Sequence, residues 1–450
     1  MKKLIFFVLV SLCALPAYAD NNDASITADQ YFTPELCPIS HVKPLTGNWE
    51  GTRTELARKG VTFESSYVMD FLANTTGGKM LGGRYDHSMG WDVNFDLEKF
   101  AKLEGTQFHI SGLWRAGRNL SSAVIGNAFV VSSIYGTEQF RLIDLYLEKT
   151  FLNKKINIRI GRLSAGDDFA SSPIYWNFVT NAIDGNPITI PINVFFPCYP
   201  AATWGVRAKC DIMKNVYTTT GLYNGDPGVP RLDMYGLDFS LRLKRGLLFA
   251  QEIAYTPNAP TTCPATTLPG HYKAGFYYHG GTFFDQFSDV NGASAVVTGL
   301  PSKKHVGNYG VYLHADQMLY REKGSYCDEG LTSFVVVALA PEDINQFPFF
   351  IDGGFVYKGL VPTRNHDILS VGFAYGKYSS DLAHSERDNR EINGSTDPIQ
   401  SYELIFDFSY KVEITPWMFL QPDAQYIVNP SGGHNIDNAF VIGTRFGLNF

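Results

Sequence analysis

Set aside its first residues, and this 450-residue chain has no run long and apolar enough to cross a membrane as a helix. Such a helix needs roughly 20 consecutive apolar residues. The best interior run, 334–340, has only the length of a strand core. No Cys-x-x-Cys occurs, which leaves a zinc ribbon or a thioredoxin-type centre without its pattern. A basic surplus is missing as well. With 37 Lys and Arg against 44 Asp and Glu the chain carries −7, which argues against nucleic acid as a partner. Nor is there a Ser/Gly linker, a charge block or a shift in composition, so the length reads as one large domain.

Signatures of covalent chemistry are absent too. Gly161-Arg162-Leu163-Ser164-Ala165-Gly166 is no nucleophile elbow, because Arg162 stands where the first glycine is required. Asp407 and Asp423 sit in separate strand-like segments, and nothing marks one of them as a raised-pKa acid of a glycosidase. Asp86-His87 and Gly432-Gly433-His434 read as isolated histidine sites without a ligand set. The expectation is a protein that is not an enzyme and carries no cofactor or metal.

The start of the chain supplies an address. Lys2 and Lys3 precede an apolar stretch at 4–15, and Ala17-Tyr18-Ala19 is a small-x-small cleavage site, so 1–19 reads as a secretory signal leaving Asp20 first. Cys13 follows Val10-Ser11-Leu12, which lacks the small residue that a lipoprotein signal places before its cysteine. Five cysteines remain after cleavage: Cys37, Cys198, Cys210, Cys263 and Cys327. In an oxidising compartment disulfides are possible, Cys198 with Cys210 for one, and scattered thiols are an equal alternative.

Aromatics and glycine are abundant, at 25 Tyr, 33 Phe and 42 Gly. They fall in an alternating pattern that runs from about residue 62 to the end. In 440–450 one parity holds Phe440, Ile442, Thr444, Phe446, Leu448 and Phe450, and the other holds Val441, Gly443, Arg445, Gly447 and Asn449. Successive strand side chains face opposite ways, so this is a greasy face backed by a small or polar one. Trp91, Val93, Phe95 and Leu97 alternate with Asp92, Asn94, Asp96 and Glu98; Ile156, Ile158 and Ile160 alternate with Asn157, Arg159 and Gly161. The same rule holds for Tyr235 to Lys244 and for Tyr402 to Glu413.

A soluble sandwich also alternates. These apolar faces, however, are long enough for a tilted membrane strand of about 9–11 residues. They carry Trp91, Tyr402 and Tyr410 where an interfacial girdle would lie. A patterned strand that ends on Phe450 implies closure, since an open edge in lipid leaves backbone groups unpaired. The fold class expected is all-β, a transmembrane antiparallel barrel over 61–450. A segment at 20–60 precedes it, with a short helix at 51–59 sitting in the periplasmic mouth. The polar link 152–155 suits a periplasmic turn, and 165–200, 257–270 and 379–398 suit extracellular loops.

Three motifs resemble the OprB carbohydrate-selective porins of Gram-negative outer membranes. Leu45-Thr46-Gly47-Asn48-Trp49-Glu50-Gly51, with Arg53, Leu56 and Gly60-Val61, is similar to the family's entry pattern, although Asn48 and Glu50 replace its usual Asp and Gly. Gly161-Arg162-Leu163, Asp168-Phe169 and Tyr199-Pro200-Ala201-Ala202-Thr203-Trp204-Gly205 form the middle match. Leu420-Gln421-Pro422-Asp423, Gln425-Tyr426-Ile427, Asn429-Pro430 and Gly432-Gly433 form the exit motif before the last strand. The resemblance implies a barrel of about 16 strands in the outer membrane, through which sugar, typically glucose, diffuses along a narrowed lumen.

Sugar selectivity needs charged groups that exchange hydrogen bonds with hydroxyls, and aromatic faces for the ring. The candidates for the constriction are Arg115, Arg118, Arg141, Asp144, Glu148, Arg162, Asp168 and Trp176. Expected partners are outer-membrane lipid, a sugar or amino acid, the barrel-assembly machinery reading the C-terminal strand, and further copies in a homotrimer. The acidic balance suits uptake of arginine or another amino acid at least as well as glucose. A barrel hydrolase, which would need a rim Ser and His pair, and a secreted β-rich sugar-binding domain are the rivals of other classes.

Overall fold

The structure, a computed structural model, describes residues 44–258, 267–322 and 328–450. The signal at 1–19, most of 20–60, and Cys13, Cys37, Cys263 and Cys327 lie outside the described residues. The strands are β1 (Val61–Gly78), β2 (Gly82–Asp96), β3 (Thr106–Gly117), β4 (Gln139–Phe151), β5 (Ile156–Leu163), β6 (Thr203–Met213), β7 (Val216–Asn224) and β8 (Leu247–Tyr255). They continue as β9 (Gly270–Asp289), β10 (Ser302–Arg321), β11 (Gly330–Leu339), β12 (Phe349–Lys358), β13 (Ile368–Lys377), β14 (Tyr402–Thr415), β15 (Met418–Val428) and β16 (Asp437–Asn449). Each pairs antiparallel with its neighbours in sequence, and β16 pairs with β1, so the sheet is a closed barrel.

The seam explains the patterned C-terminus. Asp70 of β1 lies opposite Arg445 of β16, and Phe71 opposite Thr444, in a register running from Ser66–Asn449 toward the far rim. Closure gives every edge N–H and C=O a partner, which hydrocarbon could not. The alternation then sorts the wall. On β14, Leu404, Phe406 and Phe408 face out, while Glu403, Ile405, Asp407 and Ser409 are buried on the lumen side. Outward tyrosines stack toward the rims, Tyr375 on Tyr402 at 5.5 Å and Tyr255 on Tyr272 at 6.2 Å.

The short helix Thr52–Arg58 closes the seam at the rim where β1 begins and β16 ends, the terminal rim. Arg53 donates to Phe63 O (2.8 Å) and to Phe450 O (3.0 Å), and its guanidinium lies 5.1 Å from the Trp49 ring. The residues of the entry motif therefore tie the first strand to the last residue.

Three expectations need correcting, and one open alternative, the pairing of Cys198 with Cys210, is decided. Residues 235–243 alternate as a strand would, yet they form no rung of the barrel; they belong to a long connection between β7 and β8. The connection at 257–270 joins β8 to β9 at the terminal rim, opposite the rim that carries 165–200 and 379–398, because an even strand must return there. Residues 379–398 are not irregular: Ser380–Asn393 is a helix capped by the Ser379 side chain and closed by left-handed Gly394. It is too polar to show an apolar stripe, so no 3.6-residue period announced it. Cys198 and Cys210 are not joined to each other. Cys198 lies in a loop inside the barrel, whereas Cys210 shares its face of β6 with outward Val206, so the wall stands between them.

Two connections at the loop rim, 118–138 and 164–202, fold into the lumen and build the core there. Phe129, Phe169, Phe178, Val179 and Tyr175 are fully or almost fully buried among wall residues Tyr223, Tyr312, Phe334 and Phe350. The wall of β13 makes room for them. A Cβ on Gly376 would stand 2.4 Å from Phe129 Cζ, and one on Gly372 2.7 Å from Phe178 Cε1. Glycine weakens a strand on its own; here it is where the loops' phenylalanines seat.

Candidate functional site: the constriction and its anchors

Loops are mobile unless something holds them, and these two are held by wall carboxylates. Asp407 Oδ2 accepts from the N–H groups of Val179 (3.1 Å) and Thr180 (3.0 Å). Glu403 accepts from Ala128 N (2.8 Å) and Phe129 N (2.7 Å), and Glu252 from Ala170 N (3.1 Å) and the Tyr312 hydroxyl (2.8 Å). Asp144 accepts from Ser164 N (3.0 Å) where the second loop leaves β5. Backbone N–H groups without a helix or sheet partner would otherwise be buried unpaired. Much of the acidic lining is thus spent on loop backbone.

The strongest tie crosses the seam. Arg445 makes a bidentate pair with Asp70 (2.8 and 2.9 Å) and reaches Asp184 of the second loop (3.0 Å). It also donates to Ser133 Oγ (2.8 Å) on the first loop and to the carbonyls of Phe178 (3.2 Å) and Val179 (3.3 Å). One guanidinium therefore joins both wall strands of the seam to both inward loops, which suits a planar fork of five donors. Burial raises the Asp184 carboxyl above the usual aspartate range, against the opposing pull of Arg445 and Ser133.

Beside the second loop, toward the terminal rim, lies a charged and aromatic strip. Arg159 pairs with Glu148 and approaches Asp168 (3.5 Å); Arg207 pairs with Asp168 (2.9 Å) and with Asn157. Burial pushes the Asp168 carboxyl up, but the guanidiniums of Arg207 and Arg159 outweigh it and hold it below the ordinary value. Arg159 also lies 5.1 Å from the Tyr146 ring, which stacks on His109 at 4.8 Å. Glu148, Arg159 and Asp168 keep 11–13% of their side-chain surface exposed, so they border open space and are not sealed in the core.

The structure places the eight expected residues in different settings. Glu148 and Asp168 meet in this strip. Asp144 anchors the loop, and the Trp176 carbonyl accepts from Lys411 Nζ (3.5 Å) on the opposite wall. Arg115 is buried in the lumen against Ser88 Oγ (3.3 Å), 5.4 Å from the Tyr199 ring. Arg141 donates to Pro230 O (2.6 Å), and Arg118 is exposed just beyond β3. Arg162 lies on the outer side of the wall, paired in register with outward Trp204 and Leu145. Its parity is that of Ile156, Ile158 and Ile160, a signal present in the sequence.

Sequence reasoning passed over Arg159, Arg207, Arg445, Asp70 and Asp184. Parity could have nominated the first three; only the fold brings Asp184 to Arg445. Asp86 and His87 take opposite faces of β2, Asp86 toward Ser132 Oγ (3.0 Å) and His87 against the Trp114 ring (4.4 Å), so they cannot share an ion.

A closed antiparallel barrel with an apolar outer band and a lumen narrowed by inward loops defines the class: an outer-membrane porin, a channel and not an enzyme. Residues 82–450 match the family described as Carbohydrate-selective porin, OprB family, and the chain belongs to it. It is 29% identical to Porin B of Pseudomonas aeruginosa over 418 residues, 90% of each chain. It is 26% identical to the putative porin QuiX of Acinetobacter baylyi, over 90% of this chain and 93% of that one. The solved high-pH structure of Pseudomonas putida OprB superposes with a TM-score of 0.86 at 26% identity, covering 91% of this chain and 99% of that one.

Proposed function

We propose that the solute is a small neutral sugar and that it is handled by the strip of Arg159, Glu148, Asp168 and Arg207. The observation that carries this reading is the placement of two guanidiniums and two carboxylates, already paired with one another, beside the Tyr146 ring. Donors and acceptors of both kinds can exchange partners with vicinal hydroxyls, and the ring offers a face to the apolar side of a pyranose. Within the strip the two guanidiniums balance the two carboxylates, so the strip has no net charge of its own to draw in a cation. The acidic balance that favoured arginine also loses force, since Asp407, Glu403 and Glu252 are fully buried against loop backbone and do not face the solute.

On this reading the terminal rim faces the periplasm, 1–19 directs export, and the last strand addresses the assembly machinery. A homotrimer is the expected assembly, to be tested by cross-linking in native membranes.

Swelling of liposomes that contain the protein tests the solute. Glucose should enter faster than arginine, and Arg159→Ala should slow glucose several-fold while leaving ion conductance within about twofold. Faster entry of arginine would overturn the sugar assignment.

A further inference from the structure

The connection between β7 and β8 is a belt around the outside of the barrel. Tyr235 O accepts from Leu142 N on β4 (3.0 Å), and Asp238 O from Arg162 Nη1 on β5 (2.8 Å). Phe239 O accepts from Trp204 Nε1 on β6 (2.7 Å), and Ser240 O from Asn224 Nδ2 on β7 (3.1 Å). Four successive strands are thus crossed by six residues, a left-handed turn at Tyr235-Gly236 followed by extended chain. Arg162, Trp204 and Asn224 all take the outward face: Arg162 and Trp204 are register partners, and Asn224 is paired with outward Leu247.

Arg162 is the rivet. A guanidinium on the lipid side of a barrel is costly, yet this one is only 1% exposed. It donates to Ala202 O (3.0 Å) and Ile143 O (3.4 Å) besides the belt, and the Phe239 ring lies 5.3 Å away over it. The belt's own polarity is turned inside out. Asp238 is 5% exposed against the wall, whereas Tyr235 is 58%, Leu237 57%, Phe239 42%, Leu241 61% and Leu243 53% exposed on the far side. A row of five alternate apolar side chains facing away from the protein is unfavourable in water. It continues the outward band directly below, where Leu147, Ile160, Val206 and Leu222 are also exposed.

We propose that this belt is a membrane-embedded element. It seals Arg162 from hydrocarbon and presents Leu237, Phe239, Leu241 and Leu243 to the acyl chains of the outer leaflet. The occupant is lipid, not a second copy of the chain, because the row is continuous with the lipid-facing band.

The test places p-benzoylphenylalanine at Leu241, and separately at Ile160 as a position within the band, in the full-length protein in native outer membranes. Irradiation should give lipid adducts at both positions. A protein–protein adduct at Leu241, or no adduct there while Ile160 reacts, would overturn the proposal. Arg162→Leu should lower the lipid adduct at Leu241 several-fold and leave that at Ile160 unchanged; equal yields at Leu241 with and without Arg162 would show that it holds nothing. Should Arg162→Leu fail to assemble, the Leu241 adduct in the otherwise native chain decides.

Discussion

Replacing Arg445 by Met should loosen the constriction without opening the barrel. The substitution keeps a long side chain but removes the guanidinium that bonds Asp70, Asp184, Ser133 and two loop carbonyls. Asp70 is then left 1% exposed with its bidentate partner gone. Removing one member of a buried pair costs about 3–5 kcal/mol. At about 1.4 kcal/mol per tenfold, that is roughly two to three and a half decades in the equilibrium between docked and undocked loops. The backbone ladder between β1 and β16 involves none of these atoms, so the heat-dependent gel shift of a folded barrel should persist. Asp407, Glu403 and Glu252 still hold the loops elsewhere, so the expected state is a mobile constriction.

In planar bilayers Arg445→Met should raise single-channel conductance and add open-state noise. Arg445→Lys should fall between the two, because one ammonium cannot serve Asp70 bidentately and Asp184 together. Adding Asp70→Asn to Arg445→Met should recover part of the loss, since a neutral amide leaves no buried unpaired charge there. Native conductance, noise and glucose entry in Arg445→Met would refute the idea that this residue holds the loops.

Asp407→Ala strips two loop N–H groups of their acceptor and should cost about 1–3 kcal/mol of loop docking, read as increased protease sensitivity within 164–202; Asp407→Asn, which keeps a carbonyl oxygen, should be milder, and equal effects would count against the anchoring role. Gly376→Leu drives a side chain into Phe129, so overpacking should cost about 1–3 kcal/mol and lower the temperature of the gel shift; pairing it with Phe129→Ala should restore part of that temperature, and no recovery would mean the contact is not the cause.

Both what the sequence made legible and what it hid follow from the same alternation. Parity alone separates Leu404, Phe406 and Phe408 from Glu403, Asp407 and Ser409, because a strand has a period of two whatever its neighbours do. It likewise separates Phe446 and Leu448 from Arg445. The same rule placed Arg162 with Ile158 and Ile160, and choosing it for the pathway set that rule aside in favour of its charge. Alternation also misled at 235–243. An extended belt lying on a wall has the period of a strand, and the period does not say whether its neighbours are rungs or lipid.

The sequence by itself determined the barrel, its seam at the terminal strand and its outer-membrane family, since these rest on local periodicity and on motifs. Only the tertiary structure decided what narrows the lumen. Asp184 and Arg445 stand 261 residues apart, and Phe129 and Glu403 274 apart. No local pattern reports that distant loops fold inward, that wall carboxylates are used to hold their backbone, or that β13 keeps glycines for their phenylalanines. Those facts arise when a closed wall brings remote residues within hydrogen-bonding distance, a relation that exists in three dimensions and leaves no period in one.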